Sequence, residues 1–398
     1  MFMNNKVCVT GVGVVTSIGH GKKEFWDSLI AGTSGITEIT SFDTSVFNVH
    51  VGGEIRNFAQ DFNRPRLGRC SQLAIAACQL AVCDAGLKEF EGENAAVVLG
   101  TTMGETQSIE AIDQLWLEDE NRVSLDLIRQ YPAGNIADNV ADFFKLSGAS
   151  IVNANACAAG NFALAYACDL IRLGHYDVVV AGGAEAMSKI AFTGFNRIFA
   201  VAPEKCQPFD VNRKGILVGE GSGILILESA DHARKRDAKI YCYVAGYGLS
   251  ADAKSMVIPD EEGIYTAMSN AVKDANMNPE AIDYVCAHGT GTKANDLAES
   301  KAIRRLFKGN GRTLVTSIKS MLGHTMGAAS AIESIACVLS IESGAIPPTI
   351  NLEEQDPECA IHCVANKALK KRVSTVLNNA FAFGGNNSCV IFSQRENQ

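Results

Sequence analysis

The chain alternates between short apolar runs and longer, alanine-rich segments. The short runs are rich in β-branched residues, and they predict strands at 7–15, 95–101, 151–154, 177–182, 224–227, 284–287, 314–317 and 376–378. The longer segments carry apolar residues at helical spacing, and they predict helices at 71–85, 161–173, 264–275, 296–307 and 328–341. Such alternation builds a mostly parallel sheet covered on both faces, so the predicted fold class is α/β.

Two segments of the chain echo each other. Residues 151–173 predict a strand, a turn that contains Cys157, three small residues and a helix. Residues 314–341 predict a strand, a turn that contains His324, three small residues and another helix. This echo predicts a duplicated chain, with an N-terminal half at 1–245 and a C-terminal half at 246–398.

Composition narrows the possible functions. The 35 Lys and Arg residues are outnumbered by 44 Asp and Glu, and the resulting net charge of −9 disfavours nucleic-acid binding. No apolar run reaches the roughly 18 residues of a membrane span, and the apolar N-terminal stretch lacks a signal-peptide cleavage site. We therefore expect a cytoplasmic protein that binds neither nucleic acid nor membrane.

The cysteines predict neither disulfides nor a metal site. They number 13, an odd count, and they are scattered, which favours buried thiols in a reducing compartment. Cys359 and Cys363 flank His362, but no second ligand pair follows at zinc-site spacing. The glycines at 11–13 lack the third glycine and the acidic residue of a dinucleotide site.

Cys157 stands where a predicted strand gives way to a helix, among small residues that leave room for a substrate. Free N–H groups and the positive end of the peptide dipoles at a helix start lower the pKa of a thiol. The local sequence leaves two interpretations open. One is a nucleophile on a strand–turn–helix elbow, and the other is a tightly packed structural cysteine.

Two histidines and a glycine-rich turn occupy similar places. His288 and His324 each follow a predicted strand, and the segment 379–387 (Asn-Ala-Phe-Ala-Phe-Gly-Gly-Asn-Asn) follows another. Ligands of open α/β sheets bind outside the carboxyl ends of strands, and glycine-rich backbone can present N–H groups to a developing oxyanion. Each feature alone is compatible with a structural role, but their combination favours a catalytic site.

Together these motifs resemble a known family. Cys157, His288 and His324, with Lys319 before the last histidine and the Phe-x-Phe-Gly-Gly turn at 381–385 after it, resemble the Cys-His-His constellation of the β-ketoacyl-[acyl carrier protein] synthases. The resemblance covers essentially the whole chain. It implies a thiolase-like αβαβα fold of two duplicated halves, and a dimer.

The resemblance also implies a decarboxylative Claisen condensation. An acyl group held on Cys157 would react with malonyl-[acyl carrier protein] to give a β-ketoacyl carrier. Substrates would be carried on the phosphopantetheine of acyl carrier protein, with no redox or metal cofactor. The backbone N–H groups of Cys157 and Phe383 would form the oxyanion hole, and His288 and His324 would donate hydrogen bonds to the enolate.

Further roles follow residue by residue from the same resemblance. The implied catalytic residues are Cys157, His288, His324 and Lys319; the oxyanion and gating residues are Phe381, Phe383 and Gly384; the pantetheine-binding residues are Thr290 and Thr292; the supporting acids are Asp296, Glu299 and Glu333; and the residues for docking the acidic carrier are Arg64, Arg66 and Arg69.

The chain departs from the elongating fatty acid synthases around the pocket. Those enzymes usually have Thr or Ser two residues before the nucleophile and hydroxyl residues after it, where this chain has Asn155, Ala159 and Gly160. A segment that is typically His-Met-Thr-like is Ser-Met-Val at 255–257. We therefore expect a type II polyketide ketosynthase subunit, with a housekeeping fatty acid synthase as the alternative.

Other classes fit less well. A thiolase needs a second catalytic cysteine in a Cys-x-Gly setting, which Cys389 lacks. A papain-like protease needs an orienting asparagine motif that is not evident. A non-catalytic partner subunit that sets chain length would lack the nucleophile, so Cys157 argues against that class. Assembly as a homodimer or as a heterodimer with such a partner stays open.

Overall fold

The computed structural model describes residues 5–56, 58, 66–87, 90, 94–309 and 312–396. The strands there are β1 Val7–Thr16, β2 Gly19–His20, β3 Thr37–Glu38, β4 Val51–Gly52, β5 Ala95–Gly100, β6 Ser150–Asn153, β7 Val178–Glu185, β8 Gly221–Ser229, β9 Cys242–Ala251, β10 Tyr284–Cys286, β11 Leu314–Thr316, β12 Ala345–Ile346, β13 His362–Cys363, β14 Leu369–Lys370, β15 Thr375–Phe381 and β16 Asn386–Ser393. The α-helices are α1 Lys22–Ala31, α2 Arg69–Asp84, α3 Thr106–Glu118, α4 Leu125–Gln130, α5 Asn135–Phe144, α6 Ala159–Arg172, α7 Lys189–Arg197, α8 Ala230–Lys235, α9 Glu261–Asp274, α10 Lys293–Leu306, α11 Lys319–Leu322 and α12 Ala329–Ser343.

The long strands follow the same order in both halves of the chain. The N-terminal half runs β6-β5-β7-β8-β1, and the C-terminal half runs β11-β10-β15-β16-β9, with β13 at the outer edge. The two halves meet where β1 pairs with the start of β9. Strands numbered along each half therefore lie in the order 3-2-4-5-1 twice, as a duplicated chain predicts. The expected boundary at 245/246 falls inside β9, and we propose that the second half begins with this strand.

The strand directions differ from the predicted mostly parallel sheet. In the first half β5 pairs in parallel with β6 and β7, whereas β8 is antiparallel to both β7 and β1. The second half repeats the pattern, because β10 is parallel to β11 and β15 while β16 is antiparallel to β15 and β9. In the second half, β15 and β16 are antiparallel because a tight turn joins them, and such a turn can connect only antiparallel neighbours.

The helices complete a five-layer αβαβα arrangement. Helices α2 and α5 cover the outer face of the first half-sheet, α9 and α10 lie outside the second, and α6 and α12 pack between the two. A side chain at Gly160 would place its Cβ 2.7 Å from the backbone nitrogen of Ala331, so glycine permits the close approach of the central helices. Among the described residues one helical segment, Met326–Ser343, has the length and hydropathy of a membrane span, and 89% of it is buried inside the protein.

The echo seen in the sequence has a structural counterpart at the starts of α6 and α12. Each helix is preceded by one turn of 3₁₀ helix, Ala156–Ala158 and Met326–Ala328 respectively. The first residue of each turn has a positive φ, 48° at Ala156 and 44° at Met326. Cys157 and Gly327 therefore occupy equivalent positions in the two halves.

Candidate active site

The predicted catalytic residues converge on one pocket. Cys157 follows β6, His288 follows β10, His324 follows β11 through α11, and Phe383 follows β15. All four line the same pocket. The carboxyl ends of strands from both halves thus meet at one site, as the sequence predicts.

Cys157 lies at the floor of this pocket. The positive φ of Ala156 turns the chain so that the sulfur faces the backbone N–H groups of Cys157 itself and of Phe383. Burial raises the pKa of the Cys157 thiol to about 12, although the charge of Lys319 and these N–H groups oppose the rise. The predicted lowering of this pKa at the helix start is therefore wrong, because desolvation outweighs the local dipoles. The unacylated side chain is a thiol.

The two histidines face each other across the pocket. Their ring centroids lie 5.3 Å apart, with the ring planes 80° apart. Burial, followed by the charge of Lys319, holds both pKa values well below 6.5, so both rings are neutral. The Nδ1 atom of His324 accepts a hydrogen bond from the N–H of Met326 at 3.1 Å, which leaves the proton of the neutral ring on Nε2. Within the described residues, Nδ1 of His288 has no hydrogen-bond partner.

A buried ion pair supports the histidines. The Nζ of Lys319 donates to Oε1 of Glu333, and both side chains are almost completely buried. Burial raises the pKa of Glu333 to about 7 against the opposing charge of Lys319. The same ammonium lowers the pKa of Cys157, His288 and His324. After burial, the charge of Lys319 is therefore the second cause of the pKa shifts of both histidines, and it opposes the rise at Cys157.

Two buried carboxylates hold the loop that carries His288. Glu299 accepts the backbone N–H groups of His288 and Gly289 at 2.9 and 2.8 Å. Asp296 accepts the N–H of Gly291 at 3.2 Å and that of Phe209 at 2.8 Å. Burial raises the pKa of both carboxyl groups, that of Glu299 to about 6. Asp296 and Glu299 therefore hold the loop that carries His288 in place through hydrogen bonds to its backbone.

The predicted pantetheine-binding threonines line the pocket beside the histidines. The hydroxyl groups of Thr290 and Thr292 lie 2.9 Å apart. Thr292 also caps α10, because its hydroxyl accepts the N–H of Asn295 at 3.3 Å. Both hydroxyls are therefore fixed by the local fold at the wall of the pocket.

Two of the three arginines predicted for docking lie in the part of the chain that the structure describes. Arg64 lies outside the described residues. Arg69 donates to Glu220 at 2.8 Å and to the carbonyl of Ile55 at 3.2 Å, and its side chain is partly exposed. Arg66 is exposed. A docking role for these arginines stays a prediction.

The entrance of the pocket is formed where the predicted gating turn meets the loop that contains the Ser-Met-Val segment. The N–H of Gly384 donates to the carbonyl of Met256 at 2.8 Å, and the N–H of Asp252 donates to the carbonyl of Gly385 at 2.8 Å. The Phe383 turn is thereby joined to the loop at 252–260. Phe383 is 37% exposed, and its ring lies 5.9 Å from that of Phe195.

The cysteines form no cross-links. All thirteen are free thiols, and all except Cys83 and Cys363 are buried. Across the described part of the chain, no group of three or more His, Cys, Asp or Glu side chains is arranged to hold a metal ion.

Glu185, at the end of β7, is a buried carboxylate that the sequence did not reveal. It accepts the N–H groups of Thr102, Met103 and Gly327 at 2.7, 2.9 and 2.9 Å. Gly327 is the equivalent of Cys157 in the second half, so Glu185 fills the helix-start position that the sulfur occupies in the first. Despite these hydrogen bonds, burial raises the pKa of Glu185 to about 7.

The raised pKa of Glu185 predicts a loss of stability between acid and neutral pH. The folded protein retains this proton up to about pH 7, whereas an unfolded glutamate ionises near 4.5. The contribution is therefore fully present below pH 4.5, and it falls by about 3 kcal/mol as the pH rises to about 7. We expect urea denaturation at pH 5 and pH 7 to show a smaller pH-dependent decrease for Glu185→Gln than for the wild type. Equal decreases would contradict the assignment.

Family comparisons agree with this geometry. The family model for the β-ketoacyl synthase N-terminal domain matches residues 4–233, and that for the C-terminal domain matches residues 241–353. Nodulation protein E of Rhizobium sp. (strain N33) is 37% identical over 98% of this chain and 100% of its own length. The 3-oxoacyl-[acyl-carrier-protein] synthase 2 of Coxiella burnetii is 35% identical over 98% of each chain.

Solved structures show the same fold. The ishigamide ketosynthase/chain length factor is 41% identical, with a TM-score of 0.95 over 98% of this chain and 100% of that chain. A type II polyketide ketosynthase in complex with its acyl-carrier protein is 29% identical, with a TM-score of 0.92 over 99% and 100% of the two chains. The five layers are thus the thiolase-like fold, and the chain belongs to the β-ketoacyl synthase family of condensing acyltransferases.

Proposed function

We propose that Cys157 is the acylated nucleophile of a decarboxylative condensation and that His288 and His324 stabilise the enolate. One observation carries this proposal: the sulfur, two neutral imidazoles and two inward-pointing N–H groups share a single buried pocket. These groups come from four different segments of the chain, which the fold brings together at this pocket.

In the first half-reaction the sulfur of Cys157 attacks an acyl thioester. The backbone N–H groups of Cys157 and Phe383 bind the carbonyl oxygen as it becomes negative. Because the unacylated side chain is a thiol, its proton leaves with the transfer and ends on the departing pantetheine sulfur. The product is an acyl-enzyme, and its thioester carries no charge in the buried pocket.

In the second half-reaction a malonyl thioester loses carbon dioxide. The resulting enolate oxygen receives hydrogen bonds from the Nε2–H of His324 and from His288. The enolate carbon then attacks the acyl-Cys157 carbonyl, and the departing thiolate takes up a proton. Neutral imidazoles suit this step because an imidazolium would be costly to bury beside Lys319.

The substrates in this scheme arrive on acyl carrier protein through its phosphopantetheine arm, in the cytoplasm, with Thr290 and Thr292 against the arm. The solved complex of a related ketosynthase with its acyl-carrier protein supports this partner. No metal or redox cofactor takes part in the steps proposed. Arg66 stays a candidate for contact with the carrier.

We assign the chain to type II polyketide synthesis rather than to housekeeping fatty acid synthesis. The 41% identity to the ishigamide ketosynthase/chain length factor, over 98% of this chain, supports this assignment. Ser255 and Val257, which stand where the fatty acid pattern has His and Thr, line the pocket. The pocket wall thus differs where it meets the substrate.

We further propose that the chain works as a dimer, with a second copy or with a chain-length partner. Helices α3 and α4 and the residue after them expose a set of large apolar side chains: Trp116, Leu117, Leu125, Ile128 and Tyr131. A surface of this kind is typical of a subunit interface. The ketosynthase/chain length factor supports such an assembly.

Peptide mass spectrometry tests the nucleophile. After incubation with acyl carrier protein loaded with acetyl, hexanoyl or longer groups, we expect one acyl adduct, on the peptide that contains Cys157, and no adduct in Cys157→Ala. Cys83→Ala is the matched control, because Cys83 is an exposed cysteine away from the pocket, and it should keep the adduct. An adduct on Cys83, or none with any acyl chain, would remove the proposal.

A further inference from the structure

The side chain of Asn295, in the first turn of α10, joins the pocket wall to the two buried acids behind the histidine loop. Asn295 lines the same pocket as Cys157 and is 6% exposed. Its Nδ2 donates to Oδ1 of Asp296 at 3.2 Å and to Oε2 of Glu299 at 3.4 Å. Carboxylate oxygens accept hydrogen bonds, so the two contacts engage both hydrogens of the amide nitrogen.

The amide oxygen of Asn295 points away from both acids. Oxygen and nitrogen lie on opposite sides of the amide carbon, so the contacts of Nδ2 fix the direction of Oδ1. Within the described residues Oδ1 accepts no hydrogen bond, and it is not one of the sealed interior atoms, as Nδ1 of His288 is. Because Asn295 lines the pocket, this oxygen is accessible from the pocket. The wall therefore contains a fixed hydrogen-bond acceptor that the protein itself does not use.

Thr290 and Thr292 leave a free donor in the same wall. Their hydroxyl groups lie 2.9 Å apart, so one of them donates to the other. The Thr290 hydroxyl also accepts the N–H of Thr292 at 3.4 Å, and the Thr292 hydroxyl accepts the N–H of Asn295 at 3.3 Å. Whichever hydroxyl receives the bond between them therefore has both lone pairs occupied, and its own O–H remains free to donate.

A secondary amide can use both of these wall groups. Its carbonyl oxygen accepts a hydrogen bond and its N–H donates one, whereas an ester of the same shape has the carbonyl but no N–H. An ester would face Oδ1 of Asn295 with a second acceptor and no hydrogen between them. A polar atom that loses solvent without gaining a partner is destabilising. The wall therefore favours a substrate arm that carries an amide beside Asn295.

We propose that Asn295 recognises the amide of the substrate arm nearest the thioester and accepts its N–H on Oδ1. The inference rests on the proposed function, in which a pantetheine arm passes this wall, and it adds a specificity-determining residue to that function. Glu299, which holds Nδ2 of Asn295, also accepts the backbone N–H of His288 at 2.9 Å. Asn295 therefore lies one side chain away from a residue that binds the enolate. The first amide of the arm, two methylene groups from the thioester sulfur, carries the N–H donor nearest to that centre.

The test changes a single group of a small substrate. Malonyl-N-acetylcysteamine carries the amide, and the malonyl thioester of 2-acetoxyethanethiol has an ester oxygen in place of the N–H. We expect the wild type to decarboxylate the amide about fivefold more efficiently in kcat/KM, as for one net hydrogen bond, and Asn295→Ala to reduce this preference to within about twofold. Each preference is a ratio measured on one preparation, so loss of folded enzyme cancels from it.

Two further variants separate recognition by Asn295 from other effects. Thr290→Val keeps the shape of the side chain but removes its hydroxyl, and it should retain the amide preference because both thioesters offer the same carbonyl oxygen. Asn270→Ala is the matched control: Asn270 also donates from its side chain, to the carbonyl of Leu249 at 3.1 Å, but it is exposed on α9. This control should retain both the preference and the rate.

Equal use of the amide and the ester by the wild type would overturn the assignment, as would a preference that survives in Asn295→Ala. Loss of the preference in Thr290→Val would place the N–H on the threonine pair and would likewise contradict the role of Asn295. If the wild type decarboxylates neither small thioester and also leaves malonyl-[acyl carrier protein] intact, the proposed function itself fails.

Discussion

Replacement of Cys157 by glutamine is expected to abolish condensation while leaving decarboxylation of malonyl-[acyl carrier protein] measurable. The variant has no sulfur to carry an acyl group, and loss of a catalytic nucleophile lowers the rate of the full reaction by about 10⁴-fold or more. The glutamine amide can place its oxygen near the N–H groups of Cys157 and Phe383, where the acyl thioester oxygen would lie. His288, His324 and Lys319 are unchanged.

Two assays separate these effects. Mass spectrometry of the carrier detects β-ketoacyl product, and carbon dioxide release from labelled malonyl carrier reports decarboxylation. Cys168→Ala is the control, because Cys168 is a buried cysteine on the same helix that begins beside Cys157, and it should retain both activities. Condensation by Cys157→Gln would show that another group carries the acyl chain.

The sequence predicted the strands that consist mainly of apolar residues. The prediction of 7–15 corresponds to β1, and 177–182 overlaps the first part of β7. Strand β9 was missed because its glycines weaken the strand pattern. Those glycines have a packing purpose: a side chain at Gly248 would collide with the backbone of Ala267 in α9. The close contact between strand and helix thus erased the local signal that would have revealed the strand.

The helix boundaries show a similar limit. The predicted helix 296–307 begins three residues late, because the first turn of α10 is polar and its start is fixed by the cap at Thr292. Strand β16 was missed because it begins with two asparagines, of which Asn387 donates to Asp252 at 2.6 Å. The hydrogen-bond partner of Asn387 is distant in the sequence, so the local pattern of polar residues indicates a loop instead of a strand.

At the site, the sequence identified residue types but not their environment. Cys157, His288 and His324 follow strands as predicted, yet the direction of the thiol pKa shift was wrong. Burial of the sulfur comes from segments more than 200 residues away, including Ala380 and Ala382. The sequence did not identify Glu185 as a site residue, because the N–H groups that it binds belong to distant segments. These segments are the loop after β5 and the start of α12. Long-range packing, and not local sequence, decides these electrostatic properties.

The histidine pair carries the prediction that tests the second half-reaction. We expect His288→Ala and His324→Ala each to lower the rate of malonyl decarboxylation by about 10²–10³-fold, because each removes one hydrogen-bond donor from the enolate oxygen. That loss corresponds to about 3–4 kcal/mol of transition-state stabilisation. Formation of the acyl adduct should persist in both variants, since the N–H groups of Cys157 and Phe383 do not depend on either ring.

The pH profile provides an independent check on the same pair. Both imidazoles titrate well below 6.5, so the rate should not change through histidine ionisation between pH 6.5 and 8. His175→Ala is the control, because that side chain is exposed, and it should retain the wild-type rate. Burial also raises the pKa of Glu299 to about 6 and the pKa values of Glu185 and Glu333 to about 7. A rate that rises through a pKa near 6.5 and still does so when each of these glutamates is replaced by glutamine would mean that one ring must lose a proton first, and the neutral-donor mechanism would then be wrong. Because Nδ1 of His324 accepts from the N–H of Met326, only Nε2 of its neutral ring can supply the donated hydrogen.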